Sequence, residues 1–308
     1  MVQKEGMSID FSLITPCFAK AFDSPEMRTA SLKGILRYWW RATNYTKDVR
    51  DLFDQEAEIF GGAGDTNAKK SSFSMILNPI SEPKIGKAQL VPHPNPTDKK
   101  YQNSRCIYEG SFTLTIIKIR EVNFEYNHLV SYMILGSVGQ RARRGMGSLQ
   151  IDSVSSDDGF TMPWDLDDFK KLMEGLNVNT ETDNNHLEVT GKPIPKRPVV
   201  KRIYLSAPKR DPNPMLEIIA HAKKSYPNRS SYNDREIGGI GPKFASPIWI
   251  RLLRKDSKYK ALLTVLHNPD SNKDGEVRKY VDYILNEINE IDDTSSKQKV
   301  QNNMRRKR

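Results

Sequence analysis

The 308 residues carry 48 Lys and Arg against 38 Asp and Glu, a formal net charge of +10, with 37% hydrophobic and 9% aromatic residues. That apolar and aromatic content supports packed cores and excludes global disorder, and the length fits two domains of about 150 residues each. The basic balance favours a polyanionic partner, nucleic acid or an anionic membrane surface, without specifying a fold. Cys17 and Cys106 stand far apart with no partners at metal-ligand spacing, which excludes a disulfide scaffold and a cysteine-based zinc site. There is no secretory apolar core near Met1 and no apolar run of the roughly 18 residues a membrane span needs. A soluble, cytoplasmic protein is expected.

Ile9, Phe11 and Leu13 alternate with Ser8, Asp10 and Ser12, the period of a half-buried strand, which Thr15-Pro16 ends. Thr29 or Ser31 is placed to cap a helix from Leu32 to Asn44. A second helical stretch, Val49 to Phe60, closes at Gly61-Gly62. Strands are predicted around Phe73, Met75 and Leu77 and around Phe112, Leu114 and Ile116, separated by a Pro- and Lys-containing insertion, 78–105, with little periodicity. Leu129, Val130, Met133 and Ile134 form a helical stripe running to about Gln140, and Leu149, Ile151 and Ser153 begin a last strand.

The order β-α-β-β-α-β is the ferredoxin-like arrangement, shared by RRM domains and by many proteins that bind no RNA. A boundary is expected at the acidic turn Ser155–Gly159, giving domains 1–156 and 157–291 and a basic, disordered tail 292–308. In the second part, Leu166 to Leu176 reads as a helix and 177–198 as a polar, Pro-punctuated connection. A strand from Val199 to Leu205, a helix from Met215 to Lys224, strands 248–253 and 261–266, and a helix from Val277 to Ile291 follow. No fourth strand completes this unit. The fold class expected is α+β: two tandem ferredoxin-like, RRM-like domains of antiparallel sheets with helices on one face.

Two segments carry chemistry. In Ser31–Arg41, Leu32, Ile35, Leu36 and Trp39 form an apolar face, while Lys33, Arg37 and Arg41 recur every four residues as one cationic stripe. Like charges at that spacing repel, and a bound anion would offset the cost; a solvated basic face is the plain alternative. Gly34 inside the helix suggests something packed against its backbone, and Tyr38 or Trp40 is a candidate to stack on a base. The second segment, Gly136–Ser148, sets Arg141, Arg143 and Arg144 among four glycines. Its backbone can approach a ligand closely and offer N–H groups, and its guanidinium groups suit phosphate. It follows a helix and leads into a strand, so it is neither a dinucleotide fingerprint nor a Walker loop. A weaker segment, Gly238–Lys243, is a second backbone-approach loop or a simple turn, and Arg202, Lys209 and Arg210 would extend a positive surface.

The five histidines are scattered, and no His-Asp, His-x-His or His-Glu-x-x-His pairing occurs. Neither a metal nuclease nor a zinc hydrolase is indicated, and no cofactor or small-molecule substrate is expected.

These segments resemble the RAMP (repeat-associated mysterious protein) superfamily. Thr29–Ala42, with its Ser-Leu-Lys-Gly start and Arg-Tyr-Trp-Trp-Arg-Ala run, is similar to the opening helix of the first RAMP-module subunit of type III-B CRISPR complexes. Glu58-Ile-Phe-Gly-Gly62, Gly139–Leu149 and Ala245–Arg251 resemble the phenylalanine-glycine step, the arginine–glycine loop and a second-domain strand of that family. The likeness runs from about Phe11 to Leu266 and is most specific in the first helix and the loop. It implies a non-catalytic RNA-binding subunit, near the crRNA 3′ end, that serves antiviral defence. Its implied partners are crRNA, target RNA and other RAMP subunits, with no membrane. The carried-over RNA contacts are Ser31, Lys33, Arg37, Arg41, Gly139, Arg141, Arg143, Arg144, Gly145 and Gly147. The competing enzyme reading is a RAMP endoribonuclease that processes CRISPR precursor RNA. Such enzymes commonly place a histidine between the first strand and first helix, and Pro16–Ala30 contains none. A third reading is a scaffold whose basic faces meet acidic subunits.

Overall fold

The computed structural model describes residues 6–21, 24–62, 68–89, 103–191, 195–227, 237–240, 243–267 and 274–292. The tail expected over 292–308 therefore lies outside the described residues beyond Asp292, as does the Gly241-Pro242 centre of the third glycine segment. The first part runs β1 (Gly6–Leu13), two short strands β2 (Lys20–Ala21) and β3 (Ser24–Pro25), α1 (Thr29–Thr43) and α2 (Val49–Phe60). Then come β4 (Phe73–Pro79), β5 (Lys84–Gln89), β6 (Asn103–Glu109), β7 (Ser111–Lys118), α3 (His128–Leu135) and β8 (Leu149–Val154). The second part comprises α4 (Leu166–Gly175), β9 (Thr180–Asp183), β10 (His186–Val189), β11 (Val200–Leu205) and α5 (Pro212–Ser225). It ends with β12 (Gly239–Ile240), β13 (Lys243–Phe244), β14 (Ile248–Lys255), β15 (Lys258–Leu266) and α6 (Asp274–Asn289).

The alternation in β1 buries Met7, Ile9, Phe11 and Leu13 on one side. Antiparallel pairing sets Phe11 opposite Phe112, with ring centroids 5.5 Å apart, and builds the sheet order β4-β7-β1-β8. Leu32, Leu36 and Trp39 of α1 and Leu129 and Met133 of α3 close the core over these side chains. The other face carries Ser8, Asp10, Ser12, Thr113, Thr115 and Ser153; Thr113 Oγ1 and Ser153 Oγ donate to the Asp10 carboxylate at 2.6 and 3.0 Å. Base stacking on an open sheet face, the RRM mode, needs aromatic side chains there.

Two local expectations change. Helix α1 begins at Thr29 behind an extended Arg28 with no side-chain cap, because the Ser31 N–H already bonds Arg28 O at 3.0 Å inside the first turn. Asp48, Asp165 and Asp211 cap α2, α4 and α5 instead. The insertion expected to lack periodicity forms the antiparallel hairpin β5–β6, anchored where Ile107 and Cys17 exchange both backbone bonds at 2.8 and 3.0 Å.

The second sheet has the order β14-β15-β11-β10-β9. Its β11-α5-β14-β15-α6 portion repeats the first unit, with no strand after α6 among the described residues, which end at Asp292. The vacant place beside β11 is filled from the N-terminal side by β10, antiparallel, through the hairpin β9–β10 in the stretch expected to be a loop. Asn184, in the left-handed region at φ 52°, turns that hairpin. This sheet is buried on both faces. Ile248, Ile250, Leu252, Leu263 and Val265 pack under α5 and α6, whereas Trp249, Leu253, Leu262 and Leu266 join the core of the first part.

Arg251, on that inner face, is wholly buried at 0% exposure. Its Nη1 donates to Met133 O at 2.9 Å, to Gly136 O at 3.1 Å and to Ile134 O, and its Nη2 to Leu149 O. These are the C-terminal carbonyls of α3, the negative end of a helix dipole, and the first carbonyl of β8. Burial pulls the guanidinium down to about 9, still above neutrality, so the charge is retained against those carbonyls. On the outer face, Arg202 and Lys201 hold Asp274 at the start of α6. Burial alone would raise this carboxyl; the hydrogen bonds and charges of Arg202 and Lys201 outweigh it and lower the pKa from 3.8 to about 2.

Replacing Arg251 with Leu removes the side-chain donor shared by the Met133, Ile134, Gly136 and Leu149 carbonyls. The expected loss is about 3 kcal/mol or more in denaturant unfolding, and a loss below about 1 kcal/mol would contradict this account. Because the Asp274 pKa is depressed on folding, its contribution is present above about pH 4 and lost as pH falls toward about 2. Asp274→Asn should melt below the unaltered chain at neutral pH and converge with it on acidification; a gap independent of pH would refute the linkage.

Candidate nucleic-acid interface

Helix α3 stops at Gly136, where an added Cβ would lie 2.3 Å from Ile35 Cγ2 and 2.9 Å from Trp39 Nε1. The chain then doubles back on itself. Val138 N–H donates to Gly147 O at 2.9 Å, and Thr15 Oγ1 donates to Gly145 O at 2.7 Å while accepting from Ser148 N–H at 3.0 Å. The return limb runs along the free edge of β14: Gly145 N–H bonds Ile250 O at 2.8 Å, Ile250 N–H bonds Arg143 O at 3.2 Å, and Leu252 N–H bonds Ser148 Oγ at 2.9 Å. The arginine–glycine loop is thus an edge of the second sheet and not a flexible turn.

This geometry assigns the glycines. Gly147, at φ 63°, has space for no Cβ, which would fall 1.8 Å from Val138 O; Gly145, at φ 84°, would press on Leu216 Cδ2 at 2.7 Å. Their N–H groups donate within the fold, to Pro16 O at 3.0 Å and Ile250 O at 2.8 Å. The structure therefore uses these two glycines for conformation and gives their amides to the protein. Gly139, at φ 90°, lines the groove described next.

Between α1, the loop and β14 lies a groove of about 510 Å³, lined by Ser31, Gly34, Tyr38, Gly139, the three arginines, Ser246 and Trp249. An added Cβ on Gly34 would meet nothing within 4 Å, so this glycine opens the groove; nothing packs on it. Arg143 lies against both the Tyr38 and Trp249 rings, 5.4 and 5.3 Å from their centroids, and its Nη1 donates to Ser246 O at 2.7 Å. Among the described residues the side chains of Arg141 and Arg144 have no hydrogen-bond or ion-pair partner, and the groove lining contains no carboxylate. Burial, then repulsion from Arg144, lowers the Arg141 pKa. Two further polar atoms at this place are buried without partners, Ser137 Oγ and Trp249 Nε1, in side chains exposed by 1% and 7%. Unpaired guanidinium groups converging on one groove suit an anion that accepts hydrogen bonds.

The lysine–arginine stripe lies on another flank of α1. Arg37 Nε and Arg41 Nη1 both reach the Glu56 carboxylate of α2, at 2.6 and 3.2 Å. Lys33 Nζ sits 5.5 Å over the Phe73 ring, its pKa lowered by burial and then by Arg37. Of the sequence-predicted residues, then, Ser31, Gly139, Arg141, Arg143 and Arg144 meet in the groove. Lys33, Arg37 and Arg41 form a separate edge in which two guanidinium groups share one carboxylate. Glu56, Ser137, Ser246 and Trp249 were not singled out from the sequence as site residues. Ser137, Ser246 and Trp249 lay inside segments that stood out in the sequence, but a strand residue's face is invisible without its partner sheet.

Arg202 and Lys209 do not extend the positive surface. Arg202 is 1% exposed and bound to Glu188 and Asp274, and Lys209 Nζ donates to Asn289 O and Ile291 O, both at 2.8 Å, at the end of α6. Among the described residues the grouping with metal-ligand atoms close together is Asp183, His186 and Glu188, within 4.8 Å of one another. Glu188 already receives Arg202 at 3.2 Å and Arg278 at 2.9 Å, so two guanidinium groups stand where a metal's charge would act.

The RAMP superfamily matches residues 10–150. Two proteins of Pyrococcus furiosus are similar in sequence. CRISPR system Cmr subunit Cmr1-1 is 27% identical over 281 residues, covering 76% of this chain and 78% of its own. CRISPR system Cmr subunit Cmr1-2 is 25% identical over 181 residues, covering 47% of this chain and 94% of its own. The crystal structure of apo Cmr1 from Pyrococcus furiosus superposes with a TM-score of 0.57 at 18% identity, over 86% of this chain and 88% of that one. The fold is α+β with antiparallel sheets, and the chain resembles the first RAMP-module subunit of type III-B complexes. No helix among the described residues is long and apolar enough to cross a membrane.

The loop separates residues that fix its conformation from side chains that the fold leaves unpaired. Gly147→Ala should destabilise the fold by several kcal/mol, since φ and space both forbid the methyl. Arg141→Ala with Arg144→Ala should change stability by no more than about 0.5 kcal/mol. Comparable melting losses in both variants would contradict the assignment.

Proposed function

With residues 10–150 matched by the RAMP superfamily, we propose that the chain is a non-catalytic RNA-binding subunit of a type III-B CRISPR RNA-guided effector complex. It caps the complex near the crRNA 3′ end, beside other RAMP subunits, and acts in the cytoplasm in antiviral defence. The observation that carries the RNA-binding reading is the groove itself, where Arg141 and Arg144 face one another's charge without a carboxylate. A phosphodiester would relieve that repulsion. In this reading 1–156 is the RNA-facing unit, 157–291 supplies the strand that holds the loop, and 292–308 is an appended basic tail.

The mechanism is positional. Arg141 and Arg144, with Ser31 and Gly139 at the groove, grip phosphate and set register, while Arg143 holds the groove wall. Lys33, Arg37 and Arg41 add charge along the neighbouring edge. Phosphate contacts carry no base information, so sequence is left to guide–target pairing. The endoribonuclease alternative finds less support. No histidine lines the groove, and no acid–base pair flanks the place where a phosphate would sit.

Binding of single-stranded RNA should weaken linearly in log–log plots against salt. Removing Arg141 and Arg144 together should flatten the slope by about 1.4, at about 0.7 per phosphate contact. An unchanged slope in the double variant would sink the groove assignment. Specific cleavage of repeat RNA without metal would overturn the non-catalytic reading. Loss of complex assembly in the same variant, with RNA binding intact, would favour the scaffold reading.

A further inference from the structure

Helix α1 runs about 20 Å from the arginine groove at its N-terminus to a second cavity at its C-terminus. This cavity, about 380 Å³, lies between the end of α1, the segment leading into α3 and the end of α4. Its walls are aromatic: Trp40 and Tyr132, both buried, and Phe124 and His128, both half-buried. The His128 ring stands edge-on to Phe124 at 5.9 Å and to Tyr132 at 6.4 Å. Its buried Nε2 lies 3.3 Å from the Glu125 carboxylate yet has no hydrogen-bond partner. Thr43, Asn44, Thr46 and Asn177 supply a polar rim.

The rim is fixed before any ligand arrives. Arg197 Nη1 donates to Arg41 O at 2.6 Å, and its Nη2 to Thr46 O at 3.2 Å and to Asn44 O. The Tyr45 hydroxyl donates to Val200 O. Along α1, the edge that leads to this rim keeps a surplus of positive charge, because Arg37 and Arg41 share the single carboxylate of Glu56.

We propose that this cavity receives one unpaired nucleobase of the RNA whose phosphates lie along the cationic edge of α1. The inference rests on the RNA-binding reading and adds a base site to it. A heteroaromatic ring satisfies both halves of the lining: its faces stack on aromatic walls, and its edge groups meet amide, hydroxyl and imidazole. The cavity volume is at the small end of ligand sites, fitting one base. Stacking tolerates any base, so the site holds a strand in place without reading it.

The test uses the full chain with a single-stranded RNA of mixed sequence, and the same RNA with abasic residues throughout. Phe124→Leu removes one wall, and Thr46→Trp fills the mouth from a partly exposed position; melting curves confirm that each variant folds. Each should weaken binding of the intact RNA about tenfold at every salt concentration, because one stack is lost and no phosphate contact is. Abasic RNA should bind the unaltered chain and both variants alike. Affinities within about twofold of the unaltered chain for both folded variants, or an equal loss with abasic RNA, would overturn the base site. If the arginine double variant flattens the salt slope while these two variants do nothing, the base site falls and the RNA-binding reading stands. Absence of RNA binding by the unaltered chain would overturn both.

Discussion

The buried guanidinium of Arg251 fixes the rest of the structure. It leaves the second sheet, enters the first core without a carboxylate partner, and gathers the carbonyls that end α3 and begin β8. An apolar side chain would spare the desolvation cost but leave those carbonyls without this donor, so the cation is best understood by what it specifies. It sets where β14 lies against the end of α3. Once that register is set, Ile250 and Leu252 stand opposite Gly145 and Ser148, and the loop is bonded along the strand edge. Trp249, one residue from Ile250, then meets Tyr38 across the joint with Arg143 against both rings. The groove exists because the two halves are docked, and its backbone geometry is paid for by interactions outside it.

Net charge alone describes this surface poorly. Arg202 and Lys209 are buried in the frame of the second sheet, Arg37 and Arg41 are paired with Glu56, Arg197 closes the end of α1, and Arg251 sits in the core. Arg141 and Arg144 differ from all of these. They are held close together in a groove with no carboxylate, on a loop whose backbone bonds are already satisfied. Such pre-organisation matters for binding an anion, since little has to be ordered when the ligand arrives.

How much of this was legible in the sequence depended on the range of the interaction that decides it. The first unit read well because strict alternation in 6–13 and 111–118 and apolar stripes in α1 and α3 are local signals, and α2 matched its predicted bounds. The hairpins at 84–109 and 180–189 did not, because their strands are short, polar and defined by cross-strand pairing. The place of a fourth strand in the second unit is filled from upstream by β10, a matter of topology that no local pattern encodes. The arginine–glycine loop stood out for its composition, but the roles inside it did not. Only the fold shows that Gly145 and Gly147 serve conformation, that Arg143 is a wall and that Ser137 and Trp249 keep free donors.

The central claim is that the joint between α1, the loop 136–148 and β14 is an RNA-binding groove. It is tested most directly by cross-linking RNA to the chain within its assembled complex and mapping the modified peptides. Adducts concentrated in 29–43 and 136–148 are the result this account predicts. Adducts confined to the open face of the first sheet or to the outer helices of the second, with none in the loop, would contradict it.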